Sequence, residues 1–241
     1  MVNHSTAPTV ERLELMRTKT GRMRLRAYSA WKRHSWQWML AATLAVKRFF
    51  DVLASLMFIL VFSPIFILLA LLVKLEDGGP VIFAQRRVGK DGKEFKMFKF
   101  RSMCVDAEAK MKELLAKNQH TEGITFKMKD DPRITKVGKW LRKLSLDEFP
   151  QFFNVLKGDM SLVGPRPPVP REVALYTLQD RRRLLAKPGI TCLWQIGGRS
   201  EIDFPGQVLL DVQYIESQSF LGDVRILLKT VPAVLFSKGA Y

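Results

Sequence analysis

Two adjacent carboxylates, Asp147 and Glu148, are the side chains of this 241-residue chain best suited to chemistry. An ionised aspartate can attack phosphorus as a nucleophile, and a neighbouring glutamate can hold Mg²⁺ against a diphosphate. Arg142 and Lys143 lie just upstream of the pair, and Arg166 lies downstream in a Pro-Arg-Pro loop. This basic neighbourhood favours a catalytic role on a phosphorylated substrate.

The same pair also has a purely structural interpretation. Ser145-x-x-Glu148 is the pattern of a capping box, and acids in a first helical turn are stabilised by the helix dipole. The pattern predicts a helix that opens at Ser145 and runs to about Leu156, although Pro150 would fall inside it. Spacing alone leaves the catalytic and the capping interpretations open.

The composition indicates a folded protein with an anionic partner. The hydrophobic fraction of 47% argues against disorder, while 39 Lys and Arg against 23 Asp and Glu give a net charge of +16. Charge alone does not choose between nucleic acid, anionic lipid headgroups and phosphorylated substrates. Cys104 and Cys192 lack Cys-x-x-Cys spacing, so we expect free thiols in a reducing compartment rather than a metal site.

One uncharged segment, residues 52–73, predicts a membrane element. It reads VLASLMFILVFSPIFILLALLV and would reach about 33 Å as a straight helix, the thickness of a bilayer core. The segment starts too late for a signal peptide, and no small-residue cleavage site follows it. A buried core helix of this kind would need a larger domain around it.

The middle and the flanks of this segment favour a re-entrant helix over a spanning one. Ser63-Pro64 predicts a break, with the Ser63 hydroxyl bonding a carbonyl that the proline releases. Residues 1–48 hold ten Lys and Arg against two acids, and residues 85–101 hold seven against two. Because basic flanks favour the cytoplasmic side, a helix that enters and returns to the same face accommodates both.

The entry to this segment should lie at the level of the lipid headgroups. Lys47, Arg48 and Asp51 are expected there, able to pair with each other and with lipid phosphate. Upstream, residues 21–40 interleave tryptophans with arginines and lysines, a composition typical of membrane interfaces. We expect the first 20 or so residues to be disordered.

The rest of the chain predicts a mostly helical domain with one β-hairpin, hence an α+β membrane-associated fold with interfacial helices. The hairpin is predicted on either side of Gly-Lys-Asp-Gly (89–92), and residues 158–170 are too rich in Gly and Pro for regular structure. The further predicted helices are 106–119, 135–144, 170–186, 203–218 and 221–237. The predicted division is a basic leader (1–44), the re-entrant helix (45–77) and a cytoplasmic catalytic domain (78–241).

Several motifs together identify a resemblance. They are KRFFD (47–51), GPVIFAQRRVG (79–89), FKMFKFRSM (95–103), DPRITKVGKWLRKLSLDEFPQFFNVLKGDMSLVGPRP (131–167) and KPGITCLWQIGGRS (187–200). They resemble the bacterial sugar transferase family, the monotopic phosphoglycosyl transferases that depend on polyprenyl phosphate. The resemblance runs from about residue 45 to the C-terminus.

This resemblance implies a two-step reaction. Asp147 would attack the sugar-bearing phosphorus of a UDP-sugar and release UMP, and undecaprenyl phosphate would then attack the aspartyl phosphosugar. Glu148 and Asp147 would hold Mg²⁺. The resemblance also implies substrate or phosphate binding by four basic residues: Lys99, Arg101, Arg142 and Arg166.

The resemblance further implies a hexose-1-phosphate, glucose or galactose, as the transferred group in exopolysaccharide, capsule or O-antigen synthesis. The expected location is the bacterial inner membrane, with the catalytic domain on the cytoplasmic face. No nucleic-acid partner is expected, and a homodimer is one assembly left open.

Two alternative functions belong to other classes of protein. A membrane glycosyltransferase would release UDP instead of UMP and would commonly use an Asp-x-Asp clamp, of which only Glu201-Ile202-Asp203 is a partial match. A membrane-tethered nucleic-acid binder would show steep salt-dependent DNA affinity. The context of Asp147 and Glu148 argues against the second alternative.

Overall fold

The structure is a computed structural model that describes residues 16–107, 109–110, 131–198 and 202–236. The chain divides into two compact units, residues 1–49 and residues 50–241. The disorder predicted for the first 20 or so residues and the helix predicted at 106–119 fall mostly outside the described residues. The division predicted from the sequence, at residues 44 and 77, stays a prediction.

Helices form most of the regular structure in the described ranges. They are α1 (Lys19–Asp77), α2 (Lys136–Lys143), α3 (Gln151–Lys157), α4 (Pro170–Ala174), α5 (Leu193–Gly197), α6 (Phe204–Glu216) and α7 (Phe220–Phe236). Three 3-10 helices accompany them: Lys90–Gly92, Leu146–Glu148 and Asp180–Leu185. The strands are β1 (Ile82–Val88), β2 (Glu94–Phe100), β3 (Ser161–Val163) and β4 (Gly189–Thr191).

Within the described residues, only α1 has the length and composition of a helix that could cross a membrane. Its most apolar 18-residue window has a mean hydropathy of 3.0, and 11% of that window is buried in the protein. An apolar helix that is largely uncovered is typical of a segment that lies in lipid. This feature supports the predicted membrane association.

The predicted break at Ser63 and Pro64 is wrong for the helix itself, because α1 continues through both residues. Pro64 lacks the N–H that would otherwise bind the carbonyl of Leu60, four residues earlier. The hydroxyl of Ser63 donates to that carbonyl at 2.9 Å. The prediction that Ser63 satisfies a released carbonyl is therefore confirmed, while the re-entrant path stays a prediction.

The predicted β-hairpin is confirmed. Strands β1 and β2 pair antiparallel, with Ala84 opposite Phe98 and Val88 opposite Glu94. The connection contains the 3-10 turn Lys90–Gly92 and is one residue longer than the predicted four-residue loop. Alternation along both strands sends successive side chains to opposite faces, which matters for the site below.

The short parallel pair β3–β4 was not predicted. Ser161 lies opposite Gly189 and Val163 opposite Thr191, so β3 lies in the stretch 158–170 that was wrongly expected to be irregular. A Cβ on Gly189 would lie 2.1 Å from the backbone nitrogen of Gly164, so only glycine permits this approach. The pair fixes the Pro-Arg-Pro loop, which follows β3 directly.

Residues of α1 after position 50 contribute to the hydrophobic core of the second unit. Leu69 and Val73, each 2% exposed, pack with Phe100 of β2 and Leu141 of α2. A second cluster centres on Met97, Val155, Met160, Leu162, Val163, Tyr214 and Ile226.

Aromatic side chains join α1 to the segment that follows the two carboxylates. The ring of Phe58 stacks on that of Phe152 at a centroid distance of 3.9 Å and meets Phe149 edge-on at 4.9 Å. Phe66 lies 5.5 Å from Phe149 and 6.0 Å from Phe153. Such pairs stabilise beyond their buried area, and they hold α3 against the apolar helix.

Candidate active site

Asp147 and Glu148 lie together in the 3-10 turn Leu146–Glu148, between α2 and α3. Ser145, which precedes the turn, has a left-handed backbone (φ 54, ψ 22), and its side chain makes no capping hydrogen bond. A capping residue needs an extended backbone, so the capping-box interpretation is wrong. The predicted continuous helix is also wrong, because α3 begins only after Pro150.

Lys99 connects the two carboxylates to the hairpin. Its Nζ lies 2.7 Å from Oε1 of Glu148 and 3.8 Å from Oδ2 of Asp147. All three side chains are largely buried, which strengthens the attraction between their charges. The structure therefore brings together three of the residues predicted for the site.

Asn154 fixes the distance between α3 and the strand that carries Lys99. Its side chain accepts from the backbone N–H of Phe98 at 2.9 Å and donates to the carbonyl of Lys96 at 2.7 Å. The residue is fully buried, so both amide ends need these partners. Asn154 thereby holds β2 in register with the carboxylate turn.

A small cleft opens beside Glu148. It is lined by Arg87, Met97, Lys99, Glu148, Gln151, Arg166, Pro167, Gly189, Ile190 and Gln195. Arg87 is buried and donates from Nη1 to the carbonyl of Pro167 at 2.8 Å, which ties β1 to the Pro-Arg-Pro loop. Arg166 of that loop is exposed, and its guanidinium lies 5.9 Å from the centre of the Trp194 ring.

The cleft concentrates positive charge. Burial lowers the pKa of Arg87 to about 10, and the nearby charge of Arg166 adds to the decrease. Two arginines that disfavour each other's charge, with Lys99 on the same wall, form a cradle for an anion. A phosphate in the cleft would relieve this repulsion.

The environment shifts the pKa values of the two carboxylates in opposite directions. Burial raises the pKa of Asp147; the charge of Lys99 opposes the rise and the charge of Glu148 adds to it. Burial also disfavours ionised Glu148, but the charges of Lys99 and Arg166 outweigh it and lower the pKa of Glu148. The surroundings therefore favour the ionised form of Glu148 more than that of Asp147.

The other two residues predicted to bind phosphate, Arg142 and Arg101, do not line the cleft. Arg142, in the last turn of α2, is near enough for its charge to oppose the rise that burial causes in the pKa of Asp147. Arg101 instead pairs with Asp77 at the end of α1, and it is not among the cleft residues. Its role in phosphate binding stays a prediction.

The residues expected at the headgroup level are divided between the two units. Lys47 and Arg48 lie in α1 within residues 1–49. Asp51 is buried in the second unit, where its Oδ1 accepts from the backbone N–H of Leu162 at 3.1 Å. A buried N–H needs such a partner, so this carboxylate supports the strand β3. The expected pairing of Lys47, Arg48 and Asp51 with each other and with lipid phosphate stays a prediction.

Two residues of the site, Arg87 and Asn154, were missed in the sequence. A signal for Arg87 exists, because Arg86 and Arg87 are adjacent in a strand and must face opposite sides. Arg86 pairs with Glu94 at the surface, which leaves Arg87 to the interior. Asn154 has no such signal, since the two contacts that join it to β2 are with backbone groups more than fifty positions away.

Comparison with known proteins defines the class to which this site belongs. A family model described as "Bacterial sugar transferase" matches residues 42–237. Galactosyl transferase CpsE of Streptococcus agalactiae serotype III (strain NEM316) is 52% identical over 82% of this chain and 44% of its own length. The undecaprenyl-phosphate galactose phosphotransferase of Salmonella typhimurium is 47% identical over 81% of this chain and 42% of its own length.

A third relative matches over most of its length. Exopolysaccharide production protein ExoY of Rhizobium meliloti is 44% identical over 81% of this chain and 88% of its own length. This chain thus spans less than half of the first two relatives and most of the third. The chain belongs to the bacterial sugar transferase family, which confirms the resemblance seen in its motifs.

Proposed function

We propose that this protein transfers a hexose-1-phosphate from a UDP-sugar to undecaprenyl phosphate and releases UMP, as the first membrane step of exopolysaccharide, capsule or O-antigen synthesis. The observation that carries the proposal is a pair of adjacent, largely buried carboxylates, Asp147 and Glu148, both within 4 Å of Lys99 and next to a cleft lined by three basic side chains. Relatives named as undecaprenyl-phosphate galactose and glucose phosphotransferases support the choice of substrates.

The proposed reaction has two displacements at one phosphorus atom. In the first, a carboxylate oxygen of Asp147 forms a bond to the phosphorus that carries the sugar, and the bond to the bridging oxygen breaks so that UMP leaves with the electron pair. In the second, an oxygen of the lipid phosphate attacks the same phosphorus. The bond to Asp147 then breaks, and the carboxylate is regenerated.

The cations of the cleft have distinct tasks in this scheme. Arg87 and Arg166 hold the diphosphate, Arg87 from a buried and fixed position and Arg166 from an exposed loop. Lys99 keeps Glu148 ionised and screens Asp147 from the approaching anion. Preorganised positive charge of this kind stabilises the transition state of phosphoryl transfer.

Asp147 and Glu148 are also the residues that would hold Mg²⁺. No cluster of three or more potential ligands occurs in the described residues, but Mg²⁺ is commonly bound by one or two carboxylates together with substrate phosphates and water. The carboxylate oxygens turned away from Lys99 suit that arrangement. When bound, the ion would neutralise charge on the diphosphate.

We further propose that α1 enters the inner membrane and returns, which leaves the cleft on the cytoplasmic face where UDP-sugars are soluble. Basic residues on both sides of the apolar segment support this topology. Single cysteines placed before residue 47 and after residue 76 should react with an impermeant thiol reagent from the same side. Labelling from opposite sides would establish a spanning helix.

The reaction is tested by the order of events. Purified protein in detergent, given Mg²⁺ and UDP-galactose or UDP-glucose without lipid, should release a burst of UMP no larger than the enzyme concentration. The peptide that contains Asp147 should gain the mass of one hexose phosphate. The Asp147→Asn variant, as the matched control, should show neither signal.

Each other outcome has a definite meaning. UDP instead of UMP as the product would establish glycosyl transfer. Normal turnover with lipid but no burst without it would establish a one-step transfer, in which Asp147 forms no covalent intermediate. Absence of turnover with every UDP-hexose would overturn the proposed function.

A further inference from the structure

We propose that Gln151 recognises a hydroxyl group of the sugar being transferred, an inference that rests on the function proposed above. Gln151 is the first residue of α3 and follows Glu148 by three positions. Both residues line the same cleft. Gln151 is therefore placed next to the fragment that Asp147 would receive, which is a phosphate with a sugar attached.

The carboxamide of Gln151 has unused hydrogen-bonding capacity. The residue is only 3% exposed, yet across the ranges that the structure describes its side chain makes no hydrogen bond. Its neighbours on the cleft wall include the apolar Met97 and Ile190, which offer no partner. A ligand that fills the cleft must supply hydrogen bonds to this amide or leave it unsatisfied, at a cost comparable to that of a lost hydrogen bond.

A second glutamine of the cleft shows what a structural role would look like. The Oε1 of Gln195 accepts from the thiol of Cys192 at 3.1 Å, so that its amide is held within the protein. Gln151 lacks a comparable contact in the described residues. The difference assigns ligand recognition to Gln151 rather than to Gln195.

The chemistry of the cleft indicates which part of the ligand Gln151 meets. Arg87, Lys99 and Arg166 provide the positive charge that phosphate oxygens require. A neutral carboxamide both donates and accepts hydrogen bonds, which matches a hydroxyl, since a hydroxyl does the same. On the transferred fragment, hydroxyl groups occur only on the sugar.

The test combines a variant of the full-length chain with modified donors. Gln151→Met keeps the size of the side chain but removes its hydrogen bonds, and should lower kcat/KM for the preferred UDP-hexose about tenfold to a hundredfold. A UDP-deoxyhexose that lacks the contacted hydroxyl should show a similar loss with wild-type protein. The Gln151→Met variant acting on this deoxy donor should have a kcat/KM little lower than either change alone gives, because both changes remove the same contact.

Two further measurements separate this role from others. UMP should bind to Gln151→Met as it does to wild type, since UMP carries no hexose. The matched control is Gln207→Met. It removes the hydrogen bond that the side-chain amide of Gln207 donates to the carbonyl of Ile202 outside the cleft, and it should leave kcat/KM unchanged. If Gln151→Met does not fold, Gln151→Asn retracts the amide by one methylene and should show the same loss.

The inference is overturned if kcat/KM is unchanged in Gln151→Met, if its loss adds fully to that of every deoxy donor, or if UMP binding weakens equally. The last result would assign Gln151 to the nucleotide or its phosphate. Turnover by wild-type protein is established first, so a failure of the proposed function is recognised before any variant is compared.

Discussion

Two groups of charged side chains in the described part of residues 50–241 differ in how their charges are balanced. The first, the core pair, consists of Arg183 and Asp211, which are 5% and 1% exposed. Arg183 donates to Asp211 and also lies 3.1 Å from the hydroxyl of Tyr176. The pair is matched one to one and closed to solvent.

The second group, the cleft cluster, consists of Asp147, Glu148, Lys99, Arg87 and Arg166. Here three cations face two carboxylates, and the excess positive charge borders an open cleft. Most side chains of both groups are largely buried, although Arg166 is exposed, so burial alone does not indicate function. A surplus of one sign at an accessible cavity does, because only a ligand can balance it.

The two groups approach each other at Trp194. Burial raises the pKa of Asp211 to about 6, and the charge of Arg183 and the neighbouring side chain of Trp194 oppose the rise. The ring of Trp194 also lies 5.9 Å from the guanidinium of Arg166. The comparison therefore predicts different effects of mutation in two neighbouring places: loss of turnover in the cleft cluster and loss of stability in the core pair.

The largest effect is expected for Asp147→Asn. The amide cannot attack phosphorus, so turnover should fall at least about 10⁴-fold while the fold is kept. UMP release measures turnover, and thermal unfolding followed by circular dichroism measures whether the fold is kept. Activity within tenfold of wild type would end the assignment of Asp147 as the nucleophile.

The next effect is expected for Asp211→Asn in the core pair. The change leaves Arg183 buried without a negative partner, which should lower the free energy of unfolding by about 3–5 kcal/mol. Turnover per folded molecule should change less than about threefold, because no cleft residue is altered. Denaturant unfolding and UMP release under stabilising conditions check both parts.

A large loss of turnover in folded Asp211→Asn would contradict the expectation that the core pair affects stability and only the cleft cluster affects turnover. It would mean that Trp194 joins the core pair and the cleft cluster into one functional network.

A smaller effect is expected for Arg166→Met. Removing one charge that holds the diphosphate should reduce kcat/KM for the UDP-sugar about 10²-fold. Since Arg166 is exposed, the free energy of unfolding should change little. Arg171→Met, at another basic position of the same segment but outside the cleft, is the matched control for loss of charge. Equal losses in both variants would show that overall charge, and not the position of Arg166, governs donor binding.

The smallest change is a displaced pH profile in Lys99→Met. The ammonium group favours the ionised forms of both carboxylates, so its removal raises the pKa of Asp147 further above its usual range. Because the attack needs ionised Asp147, the acid limb of kcat/KM should move to higher pH, and the relative loss should grow as the pH falls. An unchanged acid limb would mean that another group controls it.

The elements with strong local patterns were the ones that could be predicted. The hairpin follows from alternation around Gly-Lys-Asp-Gly, and α6 and α7 follow from their helical periodicity, with Asp203 capping α6. The strands β3 and β4 were missed because each is three residues long and their pairing depends on a distant glycine.

The sequence allowed candidate residues of the site to be chosen, but it did not reveal their geometry. Asp147, Glu148 and Arg166 stand out by type and context, whereas the partnership of Lys99 with Glu148 joins residues 49 positions apart. Ser145-x-x-Glu148 misled in the opposite way, since a local pattern for capping was overridden by a left-handed backbone at Ser145. Tertiary contacts, and not spacing, decided both cases.

The contribution of α1 to the core has a consequence for how the protein can be made. Leu69 and Val73 are as deeply buried as residues of the catalytic unit itself, and Phe58 stacks on Phe152 just beyond the carboxylates. The apolar helix is therefore not a removable tail. Deleting residues 50–77 to obtain a water-soluble fragment would take away one wall of the core, so the segment expected to lie in the membrane is also needed for the fold of residues 50–241.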